Sequence, residues 1–445
     1  MMKRGEFKMT AIIYPVIYIL IVLSPLALIF INGPFTDHGY LYEMGKAFAL
    51  MGFVIVGMQF ILSSRRKWIE RPYGLDMIFS FHKAMAVLGG ILILLHPVLL
   101  SLGSGNFKLL TSLSLPWYIW LGKFGLFLIL IQIIISLFRI KLKFGFEKWR
   151  LSHNIIGGIF LVGAFAHSII TSHADLKLGS LQILWTGLLV VALSFYVHHK
   201  FMIPAKLQKQ RYTITDVRQE VHNVWTLEMS PPEDHNRYHY YPGQFHFIKL
   251  HREVAVPDEE HHFTVSSSPT QPGVVTSSIK ESGDYTSTIR HTKKGDTVSV
   301  EAPFGRFSHV LHPEDKKFVF IAGGIGITPI MSMLRYMRDN KSKFDALLIY
   351  ANHSEEDIVF RKELDDMVAE GSPKLNIVHV LDHPGEGWEG ETGFVDQTKL
   401  TKHIDNFKDK AFYICCPPAM RKMVLKLLKK QGVSTSQIRV EIFSL

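Results

Sequence analysis

The alternation of apolar and polar positions divides this 445-residue chain into two unlike halves. Before residue 200, six apolar runs of about the length a bilayer-crossing helix requires follow one another: 9–32, 43–63, 76–102, 115–138, 151–171 and 179–200. Beyond Phe201 the period shortens. Alternating stretches such as RYTITDV (211–217) and FHFIKL (245–250), broken by turn residues, predict a β-barrel ending near residue 313. From there FVFIAGG, ALLIYANHS, LNIVHVL and AFYICC are apolar strands separated by helical stretches, the pattern of a parallel α/β sheet. The expected organisation is a six-span helical bundle over 1–200, a barrel over 205–313 and an α/β domain over 314–445.

Charge changes this picture only by orienting it. The chain carries a formal +10. Lys3, Arg4 and Lys8, then Arg65, Arg66, Lys67 and Arg71, then Arg139, Lys141, Lys143, Lys148 and Arg150 all fall on one side of the six spans. The opposite loops hold Lys108 and Lys177. By the positive-inside rule both termini and the polar half face the cytoplasm, and the basic balance records orientation in a cell membrane, with no argument for nucleic acid. The first apolar run is long for a cleavable signal peptide. Trp117, Tyr118 and Trp120 open the fourth span as an interfacial aromatic belt would, and Lys123 just inside it reads as snorkelling to headgroups. Two adjacent cysteines, Cys415 and Cys416, exclude a disulfide framework and a cysteine metal cluster.

The third span carries His82 and His96, fourteen residues apart, and the fifth carries His153 and His167 at the same spacing. Fourteen residues is close to four helical turns, so each pair shares a face and is separated by about 21 Å along its axis. Ionisable rings inside lipid are costly and mark function. Both spans run the same way, so His82 and His153 lie at one depth near the cytoplasmic face, and His96 and His167 at another. Two ligands per level without carboxylate or thiolate fit a macrocyclic iron better than zinc, which points to two b-type haems. Gly89–Gly90 and Gly157–Gly158 lie between the levels, where they permit either close approach of a bulky group or helix packing. Phe160, seven residues from each histidine of its span, falls midway.

In the polar half, HHFTVSSSP (261–269) supplies an aromatic ring and several hydroxyls. KESGDYTSTI (280–289) offers a glycine turn and a hydroxyl to an anion. FVFIAGGIGITPIMSMLR (318–335) runs strand, glycine turn, helix; Thr328 is placed to cap that helix and Pro329 to open it, a phosphate-binding arrangement. Cys415 ends a strand, where it could meet a nicotinamide or simply pack, and Phe443 lies in the terminal apolar strand.

The histidine pairs, HHFTVSSSP, GGIGITP, YICCPPAM and the terminal EIF, in this order, resemble the transmembrane NADPH oxidase and ferric reductase superfamily, most of all its compact bacterial NADPH oxidases; no EF-hand pattern occurs in the sequence. The resemblance implies a ferredoxin-reductase-like module behind the bundle. It implies His82, His96, His153 and His167 as haem ligands, and His261, Phe263, Thr264 and Ser266 as flavin contacts. Lys280, Gly283 and Thr286 would clamp the FAD pyrophosphate. Gly323, Gly324, Gly326, Thr328 and Pro329 would form the nicotinamide-dinucleotide loop, with Cys415 and Pro417 matching C-G-P and Phe443 stacking on the flavin. His262 stands where the family has proline and Cys416 where it has glycine. After the second α/β strand no arginine is ready for a 2′-phosphate, and Arg361 is the substitute, so NADPH over NADH is the family's implication.

The implied activity is transfer of electrons from cytoplasmic NAD(P)H through FAD and two haems to dioxygen outside, giving superoxide, with membrane lipid as surroundings and no required protein partner. His173, Lys177 and Lys123 are candidates for a polar group near the outer haem. A ferric or cupric chelate reductase, and a cytochrome passing electrons to a partner protein or quinone, share the same electron path. A histidine-relay transporter would leave the flavin-like half unexplained.

Overall fold

The computed structural model describes residues 4–32, 39–171, 179–253 and 256–442. His173, Lys177 and Phe443 lie outside them. The chain forms two compact units, Met1–Ile203 and Pro204–Leu445.

In the first unit the apolar runs become α1 (Arg4–Asn32), α2 (Tyr40–Leu62), α3 (Leu75–Ser104), α4 (Trp117–Phe138), α5 (Phe146–Thr171) and α6 (Gly179–Val197). All six are long and apolar enough to cross a membrane. The chain is a multi-pass membrane protein. A lipid solvent lets an apolar side chain stay outside, and Ile12, Leu20, Phe30 and Ile183 do. The exception is α2, whose apolar window is 61% buried against 6–17% for the other five. It is the central helix, and small residues let its neighbours close on it. A Cβ on Gly52 would stand 2.6 Å from Ile93, and one on Gly89 would touch Ile55 at 3.0 Å. A Cβ on Gly90 would collide with Ile133 of α4. Gly89 and Gly90 therefore serve helix packing. Gly158 faces open space. Phe160 is buried among Val56 and Ile129 between the two histidine levels.

In the second unit β1 (Tyr212–Val221), β2 (Val224–Ser230), β3 (Phe245–His251), β4 (Glu260–Thr264), β5 (Val275–Lys280) and β6 (Thr297–Phe304) form an antiparallel sheet in the order β4-β3-β6-β1-β2-β5. Its two ends return to each other where Ser266 N donates to Thr276 O at 2.8 Å, closing a barrel around Ile214, Leu227, Ile248, Val265 and Val298.

The remaining strands, β7 (Lys317–Gly323), β8 (Asp345–Asn352), β9 (Lys374–Leu381), β10 (Glu391–Thr392), β11 (Ala411–Cys415) and β12 (Ile438–Val440), make an all-parallel sheet ordered β10-β9-β8-β7-β11-β12. The two-residue period of β7 sends Phe318, Phe320 and Ala322 to one face, against α7 (Ile327–Asp339). It sends Val319 and Ile321 to the other, with Val424 and Leu428 of the helix Pro418–Lys430. The chain leaves β7 toward β8 on one side and returns to β11 on the other. The carboxyl ends of β7 and β11 thus flank the switch point where such sheets bind ligands.

Candidate functional site

The four histidines stand as two pairs. The His82 and His153 rings face each other with centroids 6.1 Å apart and planes at 54°. An imidazole nitrogen about 2.0–2.1 Å from a transition metal puts its ring centre roughly 3.2 Å away, so two rings on opposite sides of one ion stand roughly 6.4 Å apart. The observed spacing fits that arrangement.

At the other level, His96 Nδ1 donates to the Gly45 carbonyl at 2.9 Å and His167 Nδ1 to the Tyr118 carbonyl at 2.8 Å. A carbonyl can only accept, so the proton is fixed on Nδ1 and the lone pair is left on Nε2, the form a metal takes. The His167 ring lies against the main chain of α4 because residue 122 is glycine: a Cβ there would come 2.6 Å from its Cε1. Lys123 donates to the Leu110 and Ser112 carbonyls and lies over Trp120, so it satisfies a loop at the end of the span. These residues fit haem ligation.

Sequence reasoning missed Gln132. It is buried in α4 and lies 2.6 Å from His153 Nδ1. A single amide in an apolar run reads as a tolerated exception. The available signal was Ser136, one turn along the same face. His82 Nδ1 is buried and makes no well-formed hydrogen bond to a described residue.

In the barrel, the hydroxyls of HHFTVSSSP turn inward. Ser266 is fully buried; its Oγ bonds Thr276 Oγ1 and Ser278 Oγ, and its carbonyl accepts from Arg335 at 2.6 Å. Ser267 O accepts from Ser332 of α7 at 2.7 Å. Thr264 is also buried, and its carbonyl accepts from Ser277. This stretch is the seam joining barrel to α/β domain.

What the barrel offers a ligand lies beside this seam. His261 stacks on Tyr285 at 4.0 Å, with Phe263 6.3 Å beyond, and His261 Nε2 reaches Glu259 at 2.9 Å. The amides of Ser282 and Gly283 both donate to Thr286 Oγ1 at 2.9 Å, two donors converging on one oxygen. Lys280 ends β5 close by in sequence. Arg252, which the sequence did not single out, lies 5.6 Å from the Tyr285 ring centre and gives one N–H to Thr288 O. Its Nε and Nη2 are buried without a partner among the described residues. A buried cation with free donors is costly unless an anion meets it. The free donors of Arg252 fit a phosphate of FAD.

In the α/β domain the glycine turn is packed onto the end of β11. A Cβ on Gly323 would meet Pro417 at 2.7 Å and Cys416 at 3.0 Å, and one on Gly326 would collide with the Cys415 carbonyl. Gly324, at φ +52°, faces open space, where its turn is free to meet a phosphate. The expected cap is not formed. A 3-10 turn, Gly324–Gly326, runs directly into α7, so Gly326 precedes the helix, Thr328 sits inside its first turn donating to Ile325 O, and Pro329 is its third residue. Cys415 is fully buried, and burial pushes its thiol well above the usual range. A nicotinamide contact would require that side chain to be uncovered. Arg361 is paired with Glu355 at 2.6 Å, and beyond β8 and β9 His353 Nδ1 lies 2.8 Å from Asp382.

Three family models match in series: a ferric reductase like transmembrane component over 48–164, an FAD-binding domain over 209–316 and an oxidoreductase NAD-binding domain over 320–426. The chain belongs to the NADPH oxidase/ferric reductase superfamily. With these matches this chain is an oxidoreductase with FAD- and NAD-binding domains behind a membrane bundle. Among curated relatives, the glycine betaine monooxygenase reductase subunit of Pseudomonas aeruginosa is 31% identical over 45% of this chain and 56% of its own length. The chain thus spans little more than half of that relative. NADH-cytochrome b5 reductase 1 of Dictyostelium discoideum is 31% identical over 43% of this chain and 68% of its own length. A flavohemoglobin from Malassezia yamatoensis, solved with FAD and heme, resembles the chain in fold alone: 16% identity, TM-score 0.50, covering 91% of this chain and 96% of that one.

Proposed function

We propose that this chain carries electrons across the cell membrane, from cytoplasmic NAD(P)H through FAD and two b-type haems to dioxygen on the far side, releasing superoxide. The observation that carries the reading is the pairing of histidines at two levels: rings 6.1 Å apart at one, and Nδ1 protons fixed on carbonyls at the other. The balance is NAD(P)H plus two dioxygen giving NAD(P)⁺, two superoxide and one proton. FAD, when bound, accepts the hydride pair and releases electrons singly. Arg252 would hold its phosphates, and the turn at Gly324 the nucleotide. His82 with His153 would hold the haem nearer the cytoplasm, His96 with His167 the outer one. Held by two imidazoles, such a group would supply one-electron transfer to an acceptor that does not bind the metal. The relatives' names, a monooxygenase reductase subunit and an NADH-cytochrome b5 reductase, support delivery of nicotinamide electrons to a separate acceptor.

The test is cytochrome c reduction by the purified, FAD-supplemented full chain with NADPH and with NADH. Reduction abolished by superoxide dismutase is expected. Ferric-chelate reduction that is faster than oxygen reduction and insensitive to dismutase would overturn dioxygen as acceptor. A colourless protein after haem-sufficient expression would overturn the electron path itself.

A further inference from the structure

The four histidines are supported in different ways. His96 and His167 rest on main-chain carbonyls. His82 Nδ1 has no well-formed partner among the described residues. His153 alone is held by a side chain, the Gln132 amide at 2.6 Å.

That amide is the middle of a chain of polar groups across an otherwise apolar contact of α4 with α5. Trp149 Nε1 donates to Ser136 Oγ at 3.1 Å, and Ser136 Oγ meets the Gln132 amide at 3.0 Å. Trp149 also packs on the His153 ring, with centroids 5.2 Å apart. The nitrogen end of the amide faces both Ser136 and His153, while the Oε1 end is buried without a partner among the described residues. The two ends of a carboxamide have nearly the same shape, so chemistry decides which faces the ring. An amide nitrogen donating to Nδ1 forces the proton onto Nε2 and blocks ligation. The oxygen end accepts from Nδ1–H and frees the Nε2 lone pair, as the carbonyls do for His96 and His167. In that orientation Oε1 lies 3.0 Å from Ser136 Oγ, whose one hydroxyl proton goes either to it or to the Gln132 main-chain carbonyl 2.7 Å away, while Trp149 Nε1 donates to Ser136 Oγ.

We infer that Gln132 is the positioning residue for His153, accepting its Nδ1 proton through Oε1 and thereby setting the ligand strength of the His82/His153 site. This rests on the haem reading above. An acceptor on the far nitrogen fixes the ring and raises its basicity, and a more basic imidazole favours the oxidised iron. Gln132 therefore holds one haem of the two at a lower reduction potential than its ring alone would give.

The test uses the full chain in detergent, with haem stoichiometry, low-temperature electron paramagnetic resonance of the oxidised haems and separate midpoint potentials as readouts. Gln132→Leu removes the acceptor at nearly constant volume. It should move one haem's reduced-to-oxidised ratio about tenfold toward reduced, which is about 59 mV for one electron, and change the g-values of that haem only. Gln132→Glu restores an acceptor oxygen and should return the g-values to native, with a potential at or below the native one. Ser136→Ala should shift the same haem in the leucine direction by less, and it carries the test if the leucine variant does not fold. Native g-values and potentials in the leucine and alanine variants, or equal shifts of both haems, would overturn the inference while leaving two-haem ligation standing. A native chain without a bis-imidazole spectrum would overturn ligation itself.

Discussion

Replacing Gly122 by alanine adds one methyl where the His167 ring lies flat on α4. The new Cβ would stand 2.6 Å from Cε1, 2.8 Å from Nε2 and 2.9 Å from Nδ1, so the ring must withdraw by about 0.8 Å to reach ordinary contact. That movement stretches the 2.8 Å bond to the Tyr118 carbonyl. Overpacking costs about 1–3 kcal/mol, and a lost hydrogen bond about 0.5–1.5 kcal/mol more. The combined effect, about 1.5–4.5 kcal/mol, is roughly a 10- to 1,600-fold loss of haem affinity at the His96/His167 site. Gly125→Ala is the control. One turn along the same helix, its Cβ would meet Phe160 no closer than 3.7 Å, ordinary contact. Pyridine haemochrome quantitation after dialysis against apomyoglobin, a haem acceptor, should find two haems per chain in the native protein and in Gly125→Ala, and close to one in Gly122→Ala. Two firmly held haems with native spectra in Gly122→Ala would refute the placement of His167 against this glycine.

Two further outcomes follow from the barrel. Arg252→Gln should weaken FAD binding at least about 30-fold, since charged hydrogen bonds are worth about 1.5–3 kcal/mol each, while riboflavin, which has no phosphate, binds as before; flavin-fluorescence titration reads both, and parallel losses would remove Arg252 from the phosphate site. His246 is fully buried between Tyr238 and Ser277, and burial lowers its pKa to about 3. Its folded pKa lies below the unfolded value of about 6.5, so its contribution is complete above pH 6.5 and declines as pH falls toward 3, by about 2 kcal/mol at pH 5. Urea unfolding followed by tryptophan fluorescence between pH 7.5 and 5 should show that slope in the native chain and a flatter one in His246→Gln; equal slopes would assign acid sensitivity elsewhere, to groups such as His309, whose pKa burial lowers to about 4.

The membrane half was legible because lipid imposes one rule on every span, a long apolar run with a closed backbone. Helix ends were less so. The fifth run seemed to begin at 151, yet α5 starts at Phe146, since Lys148 and Arg150 extend a helix beyond the apolar layer without penalty. Histidine spacing survived because it depends only on helical rise. Arg252 and Gln132 escaped notice for a common reason. Each matters through a partner far along the chain, Tyr285 for one and His153 for the other, and neither pairing has a period. The serines after Thr264 read only as a supply of hydroxyls; the internal joint they make with Arg335 and Ser332 of α7 has no local signature either. Thr328 looked like a cap because Pro329 suits a first helical position, whereas the 3-10 turn hands over to the helix at Ile327, two residues earlier.

The carbonyls beneath His96 and His167 are main-chain groups at positions 45 and 118, so what holds that level is the approach of the helices: a Cβ at residue 45 would stand 3.1 Å from the α3 main chain and press the two apart. Evolution can redraw the other side chains around that level so long as that approach, and the glycine that permits it, are kept. At the His153 level a single codon changes the acceptor. Descendants of this protein that needed a different driving force would find it at residue 132 first, leaving the His96/His167 level as the inherited constant.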